Sequence, residues 1–123
     1  MSDIIHKDLS YKIVGLAMEV HSELGYGFLE KVYENSLMVL LRENGFKAEQ
    51  QVKIKIHFHG EIVGDYIADI LVEDCIILEI KSQSMLTKVD IAQALNYLRA
   101  TKLKLALLLN FGKASLERER VVL

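Results

Sequence analysis

Residues 69–81 read Asp69-Ile70-Leu71-Val72-Glu73-Asp74-Cys75-Ile76-Ile77-Leu78-Glu79-Ile80-Lys81. Two apolar runs flank the polar corner at residues 73–74, a pattern that is typical of a β-hairpin. Because side chains alternate between the two faces of a strand, Glu79 and Lys81 point the same way and Ile80 points into the opposite layer. Pairing across the hairpin then brings Asp69 beside Glu79. The sequence therefore predicts two carboxylates and an ammonium group on one patch of an otherwise apolar sheet.

Such a patch is costly to assemble unless something offsets the repulsion between the carboxylates, and a divalent metal ion does that. We therefore expect Asp69 and Glu79 to bind Mg²⁺ or Mn²⁺, with the carbonyl oxygen of Ile80 as a further ligand. An ion in this position polarises a phosphodiester and lowers the pKa of a bound water, and Lys81 would orient that water or stabilise charge on the phosphate. The simpler interpretation is a salt bridge at the end of a strand, which the spacing alone leaves open.

Helical periodicity appears in three other parts of the chain. Apolar residues recur at the spacing of an amphipathic helix over residues 8–24, 28–44 and 88–100. Gly25 and Gly45 are placed to end the first two helices, and Thr87 is placed to cap the third. The first two helices form an αα-hairpin that must cover a sheet, because the rest of the chain is rich in strands. The expected buried stripe of the third helix consists of Val89, Ala92, Leu95 and Leu98.

Strand patterns account for most of the remainder. Alternation over residues 52–59 predicts a strand with Val52, Ile54, Ile56 and Phe58 facing the core. After a turn at residues 59–61, strands over 62–72 and 75–81 complete a meander. Residues 103–111 predict a strand buried on both faces and parallel to the strand before the third helix. The tail, residues 116–123, is a candidate for a short edge strand. The predicted fold is α/β, of order α-α-β-β-β-α-β, with a mixed four-stranded sheet flanked by helices.

Length and composition limit the function classes. At 123 residues the chain has the size of one domain, which we assign to residues 1–123. The formal net charge of −2 excludes a strongly basic arm, so a nucleic acid would be held by a local patch or through metal ions. A single cysteine, Cys75, excludes an internal disulfide and a multi-cysteine zinc site, and we expect it to be a small core residue. We expect no signal peptide, no membrane span and a cytoplasmic location.

Other polar residues are weaker candidates. Glu30 lies in the first turn of the second predicted helix, where the helix dipole favours a carboxylate whatever its role, and it could also reach the metal as a third carboxylate. Gln93 and Tyr97 are four residues apart on the third helix, with Asp90 one turn earlier. The face they share either contacts the site or is simply solvated. We expect His21 to be a packing residue with its ring hydrogen-bonded.

The exposed basic face of the first strand has two interpretations. His57 and His59 share a strand face at a spacing that can bind zinc, but no further ligand accompanies them, so a solvated face is the better interpretation. Four lysines are the best candidates for contacts with a phosphate backbone, although a role in solubility explains them equally well. They are Lys53, Lys55, Lys102 and Lys104.

A family resemblance covers nearly the whole chain. Residues 27–33, Gly-Phe-Leu-Glu-Lys-Val-Tyr, fit the signature of the GxxExxY protein family, which is placed within the PD-(D/E)XK nuclease-like superfamily. Residues 19–21 and 23–25 resemble the first helix of that family. Residues 86–87 and 92–101 resemble its last helix, and residues 108–112 resemble its final strand. Asp69 followed by residues 79–81 is similar to the metal-site motif of the superfamily.

The resemblance implies a restriction-endonuclease-like core and a Mg²⁺-dependent nuclease that acts on DNA or RNA. It implies that Asp69 and Glu79 are metal ligands, that Lys81 is the catalytic lysine, and that Glu30 and Gln93 are supporting residues of the site.

Three positions depart from the family pattern. Asp90 stands where a histidine is usual, Ile67 where an arginine is frequent, and Tyr26 where a proline is customary. The missing histidine and arginine keep a second function open, a catalytically inactive module of the nuclease fold that binds nucleic acid or protein. So small a domain could also act as a homodimer, or with a partner protein that supplies a basic surface.

Overall fold

The computed structural model describes residues 4–123 as three helices and five strands. In chain order they are α1 (Lys7–Leu24), α2 (Glu30–Glu43), β1 (Ala48–Phe58), β2 (Glu61–Val72), β3 (Ile76–Lys81), α3 (Lys88–Thr101), β4 (Leu105–Asn110) and β5 (Glu117–Val122). The strands form one mixed sheet in the order β1-β2-β3-β4-β5, with β3 and β4 parallel and the other neighbours antiparallel. The predicted α/β class is confirmed. The candidate edge strand in the tail is also confirmed, because the tail pairs with β4. The sheet therefore has five strands where the core prediction gave four.

Two tight turns set the register of the first three strands. His59 and Gly60 join β1 to β2 with φ angles of 51° and 80°, and Glu73 and Asp74 join β2 to β3 with 50° and 57°. Consecutive left-handed residues match the twist of antiparallel strands, so they suit short hairpins. The Cys75 N–H closes the second turn by donating to the Val72 carbonyl at 3.0 Å. Cys75 therefore belongs to the turn and is half-buried, and β3 begins one residue later than predicted.

Helices pack on both faces of the sheet and create two apolar cores. The first core lies under α1 and α2, where Ile13 and Leu37 pack with Ile80. The second lies under α3, where Leu98 packs with Ile77. All six residues of β4 are buried, which confirms the prediction for that strand. Within the described part of the chain, no helix combines the length and apolarity needed to cross a membrane.

Two predictions of core-facing side chains were wrong. Phe58 is 64% exposed, because the hairpin tip that contains it, residues 57–63, is exposed throughout. On α3, Val89 and Ala92 are exposed, and the buried residues are Asp90, Ala94, Tyr97 and Leu98. The predicted Thr87 cap is confirmed and explains the difference. A reciprocal capping box between Thr87 and Asp90 satisfies the Asp90 carboxylate, so a charged residue can lie on the inner side of the helix.

Candidate active site

Strand β3 carries two charged groups into the α3 side of the sheet. Glu79 is only 4% exposed and shares its face with the buried Ile77, as the alternation predicted. Lys81 ends the strand, and its Nζ lies 3.8 Å from Oδ1 of Asp90 at the start of α3. Ile80 points into the opposite core, below α1 and α2. Because the side chains of β3 alternate between its two faces, the polar site and the larger apolar core lie on opposite faces of the sheet.

Asp69 is fixed at the same place by a hydrogen bond to the backbone. Its Oδ2 accepts from the Ile80 N–H at 2.7 Å, at the point where the regular pairing of β2 with β3 ends. The β1–β2 pairing also skips Asp69 and the residue across from it, Gln51, whose φ is 54°. Ala68 consequently packs below α3 while Ile70 packs below α1 and α2, although two residues so spaced would share a face in a regular strand. This irregularity turns the Asp69 carboxylate toward β3.

The carboxylate of Glu79 is strongly perturbed by its surroundings. Burial, together with the neighbouring charge and hydrogen bonding of Asp69, raises the pKa of Glu79 to about 9, and Lys81 offsets only part of this effect. Its Oε1 is a buried atom with no hydrogen-bond partner among residues 4–123. Buried polar atoms are nearly always paired, so an orphaned carboxylate oxygen beside a second carboxylate is an arrangement that a hard cation would complete.

The donor set fits a divalent ion held by two carboxylates. Asp69 and Glu79 supply hard oxygen atoms, and the Ile80 carbonyl belongs to the residue whose N–H positions Asp69. Mg²⁺ commonly binds through one or two carboxylates and keeps several waters or substrate oxygens. Over residues 4–123, no group of three or more His, Cys, Asp or Glu side chains could hold a metal ion. The role of Glu30 as an additional ligand therefore stays a prediction.

Glu30 faces the site across a cavity. Partial burial and the charge of Asp69 raise the pKa of Glu30, while Lys81 and a hydrogen bond from the Ser82 backbone oppose that rise. These influences place Glu30 within electrostatic reach of Asp69 and Lys81. The cavity has a volume of about 920 Å³. Its lining includes Tyr26, Phe28, Glu30, Glu34, Asp69, Ile80, Ser82 and Gln83.

Helix α3 contributes Tyr97 to the site. The Tyr97 ring is buried and lies 5.5 Å from the ring of Tyr66. Burial and the nearby carboxylates of Glu79 and Asp69 raise the pKa of Tyr97 to about 12, so its hydroxyl stays protonated. Gln93, one turn earlier, is exposed, and its role in positioning substrate stays a prediction. The predicted helix face thus contains two buried members, Asp90 and Tyr97, and one solvated member, Gln93.

Asp90 forms a network that the sequence did not reveal. Its Oδ2 accepts hydrogen bonds from Gln83 Nε2 at 2.6 Å and from the Thr87 N–H at 2.8 Å. Burial by itself would raise the pKa of Asp90, but these hydrogen bonds and the charge of Lys81 outweigh it, and the pKa is lowered. Asp90 therefore restrains Lys81 as a fixed negative charge.

Asn110 is a second residue whose role the sequence analysis missed. Its side chain hydrogen-bonds the segment that follows Lys81. The fully buried Asn110 accepts from the Gln83 N–H at 3.0 Å and donates to the Gln83 carbonyl at 3.0 Å and to Glu117 Oε1 at 3.0 Å. A Cβ on Gly112 would lie 2.3 Å from the same backbone, so glycine is required there. The signal in the sequence was an asparagine that ends an apolar strand two residues before a glycine.

Glu34 is a third missed residue, one turn after Glu30. It is buried, and its carboxylate accepts hydrogen bonds from Gln50 Nε2 at 2.7 Å and from Gln51 Nε2 at 3.2 Å. The Nζ of Lys31 lies 3.1 Å from Oε2 of Glu34, so the ammonium group balances the charge of this carboxylate. Glu34 thereby holds the left-handed Gln51 that faces Asp69. The i, i+4 spacing of Glu30 and Glu34 was the available signal.

The histidines behave as the sequence indicated. The His21 ring is buried, lies 6.2 Å from that of Phe111, and has its Nε2 2.8 Å from the Lys113 carbonyl oxygen. The prediction of a packing residue with a hydrogen-bonded ring is confirmed. His57 and His59 are both exposed at the tip of the first hairpin.

Comparisons with known proteins agree with this geometry. A family model described as PD-(D/E)XK nuclease superfamily matches residues 7–121. The solved structure of a protein called SSO0001 is similar with a TM-score of 0.57 and 18% sequence identity. The similarity covers 75% of this chain but 48% of that protein, so this chain spans about half of its length. At this identity the likeness concerns the fold alone. None of the curated proteins matches the chain.

Proposed function

The chain belongs to the PD-(D/E)XK nuclease superfamily, and we propose that it is a Mg²⁺- or Mn²⁺-dependent nuclease that hydrolyses phosphodiester bonds of DNA or RNA. The observation that carries this proposal is the pair of carboxylates at the end of β3. Glu79 is buried with an unpaired Oε1, and Asp69 is directed toward it by the Ile80 N–H. A fold that needed only stability would not retain two adjacent carboxylates in this position.

We extend the proposal to membership in the GxxExxY family, because each signature residue has a physical role here. Gly27 has a φ of 116°, a conformation that residues with a Cβ rarely adopt. Glu30 faces Asp69 across the cavity. Tyr33 is fully buried, its ring lies 4.7 Å from that of Phe111, and its hydroxyl donates to the Gly25 carbonyl at 2.7 Å.

The chain's own residues divide the proposed chemistry among them. Asp69 and Glu79 would hold the ion, which would supply polarisation of the phosphoryl oxygen and a water of lowered pKa. Ile77 and α3 exclude bulk water from Glu79. Lys81, restrained by Asp90, places its ammonium group where it can orient the attacking water or stabilise charge on the phosphate. Gln93, exposed near the start of α3, would contact the substrate.

Cleavage assays test the proposal directly. Single- and double-stranded DNA and RNA are incubated with the protein and Mg²⁺ or Mn²⁺, and products are resolved by denaturing electrophoresis. We expect Lys81→Ala to lower the rate on the order of 10² to 10³-fold, the usual effect of removing one group that stabilises developing charge. Lys12→Ala, which changes an exposed lysine of α1 outside the site, is the matched control and should retain activity. Failure to cut any of the four substrates would show that the catalytic proposal is wrong.

The contact between Lys81 and Asp90 favours a second candidate function. A carboxylate 3.8 Å from the lysine reduces the positive potential offered to a phosphate. The alternative is a catalytically inactive module that keeps the fold and binds nucleic acid or protein. Isothermal titration with Mg²⁺ or Mn²⁺ separates the cases, because the nuclease binds the ion and Asp69→Asn abolishes that binding. Absence of any heat with either ion would favour the inactive module.

A further inference from the structure

We propose that Tyr26 and Phe28, which we call the aromatic rim, form a stacking platform for an unpaired base, so that the preferred substrate is single-stranded nucleic acid or an unpaired end. The inference rests on the proposed nuclease function and specifies its substrate class. It comes from the loop between α1 and α2, which contributes to the wall of the cavity that also contains Asp69 and Glu30.

The aromatic rim leaves apolar surface unburied beside the polar site. Tyr26 is 63% exposed and Phe28 48% exposed, and the next residue, Leu29, is more exposed than either. All three residues line the cavity of about 920 Å³, a volume within the range of small-molecule and cofactor sites. Exposed rings beside a site for a phosphodiester are the feature that proteins use to bind unstacked bases.

The backbone under the rim is held in place at several points. The Phe28 N–H donates to the Tyr33 hydroxyl at 3.1 Å, and the Tyr33 hydroxyl donates to the Gly25 carbonyl at 2.7 Å. The Phe28 carbonyl accepts from the Ser82 hydroxyl at 2.9 Å. The Phe28 ring also meets the buried Tyr33 ring edge-on at 6.2 Å. A pre-positioned ring binds a base with little further loss of conformational entropy.

The rim is linked directly to the strand that carries the catalytic groups. Ser82 follows Lys81 in the chain and lines the same cavity as Glu30. The Phe28 backbone is therefore one hydrogen bond away from the end of β3. Asp69 lines the same cavity as the rim, so a nucleotide whose phosphate lies at Asp69 can place its base against the rim.

The occupant is an unpaired base because a paired one offers no free face. Inside a duplex, each base is stacked on both sides, whereas in a single strand the base can leave the stack and pack on an aromatic side chain. The chain has a net charge of −2, so its grip on a duplex backbone is weak, and stacking supplies affinity that charge does not. Stacking depends little on base identity, so we expect weak sequence preference.

Fluorescence anisotropy measures this preference. The probes are fluorescein-labelled oligothymidylate and the same strand in a duplex with oligoadenylate, with Ca²⁺ in place of Mg²⁺ to limit cleavage. We expect tighter binding of the single strand, and a loss of about tenfold or more for that probe in Phe28→Ala, the effect of losing one stacked base. Phe28→Trp should retain binding, and Phe28→Leu, which keeps apolar volume without a π face, should not. Phe58→Ala removes an exposed ring at the far hairpin tip and is the matched control.

The outcomes separate this inference from the nuclease proposal. Equal binding of the two probes, or unchanged single-strand binding in Phe28→Leu and Tyr26→Ala, would overturn the inference, while metal-dependent cleavage by the same variants would leave the nuclease proposal standing. Single-strand binding that depends on Phe28, together with no cleavage in Mg²⁺ or Mn²⁺, would support the platform and contradict the nuclease proposal. If the circular dichroism spectrum of Phe28→Ala shows that this variant is unfolded, single-strand binding by the Phe28→Leu and Tyr26→Ala variants decides whether the aromatic rim binds a base.

Discussion

Replacing Glu79 with glutamine should remove a pH-dependent loss of stability from the metal-free protein. The pKa of Glu79 rises from 4.5 to about 9 on folding, mainly because the side chain is buried. At neutral pH the folded protein therefore holds a proton that the unfolded chain releases. The stability due to this group is fully present below about pH 4.5 and is lost as pH rises toward 9.

The magnitude follows from the size of the pKa shift. Between the two pKa values, one proton is bound in the folded state and none in the unfolded state, so the free energy of unfolding falls by about 1.4 kcal/mol per pH unit. From about pH 5.5 to about pH 8.5 the loss amounts to roughly 4 kcal/mol. The Glu79→Gln variant has no such titration, because its amide does not ionise in this pH range, and it keeps the size and shape of the protonated carboxyl group.

Urea unfolding in the presence of EDTA at these two pH values measures the effect. Because other carboxylates also titrate, the informative quantity is the difference in unfolding free energy between the variant and the parent protein. That difference should grow with pH in favour of the variant. Glu119→Gln, an exposed carboxylate of β5, is the control and should show a constant difference. If the Glu79→Gln difference is also constant from the lower to the higher pH, the reasoning about Glu79 burial is refuted.

Three further predictions concern the surroundings of the site. Asn110→Leu should cost about 1–3 kcal/mol of unfolding free energy per unpaired backbone group of Gln83, measured by urea denaturation, because those groups stay buried without a partner. Gly112→Ala should lower kcat measured well below the thermal midpoint of the variant, because a Cβ 2.3 Å from the Gln83 backbone displaces the segment after Lys81. An unchanged kcat would contradict this. Mg²⁺ should raise the thermal midpoint of the parent protein, and calorimetric scans of Asp69→Asn should show no such rise.

The sequence predicted the hairpin and its two carboxylates well, because the controlling signals are local. Strand alternation places Glu79 and Lys81 on one face, and the two-residue corner at Glu73 and Asp74 sets the register that brings Asp69 alongside. Turn chemistry and period-2 alternation act over a few residues, so they can be recognised without knowledge of the rest of the fold. The resemblance to a nuclease family then assigned roles to these same side chains.

The parts that sequence reasoning missed depend on contacts between distant segments. Gln51 adopts a left-handed conformation although it is not a glycine, so the sequence contains no local signal for it. Its side chain is held by a hydrogen bond to Glu34 on α2, a contact between distant segments. Asn110 was recognised as part of a strand but not as a clamp, since its partners lie 27 and 7 residues away. Asp90 was assigned to a helix face of uncertain exposure, and its burial depends on hydrogen bonds from Gln83 as well as from the cap.

The charges around the site support the proposal that it binds a metal ion. Asp69, Glu79, Glu30 and Asp90 lie within electrostatic reach of a single lysine, Lys81, so the site without an ion is strongly acidic whenever its carboxylates are ionised. A phosphodiester approaching that surface would be repelled, and the overall charge of −2 does not compensate. A divalent cation held by Asp69 and Glu79, as we propose, would reverse the local potential and would also lower the pKa of Glu79, because it would stabilise the ionised form. In the proposed nuclease, ion binding and substrate binding would therefore be coupled through the same two carboxylates.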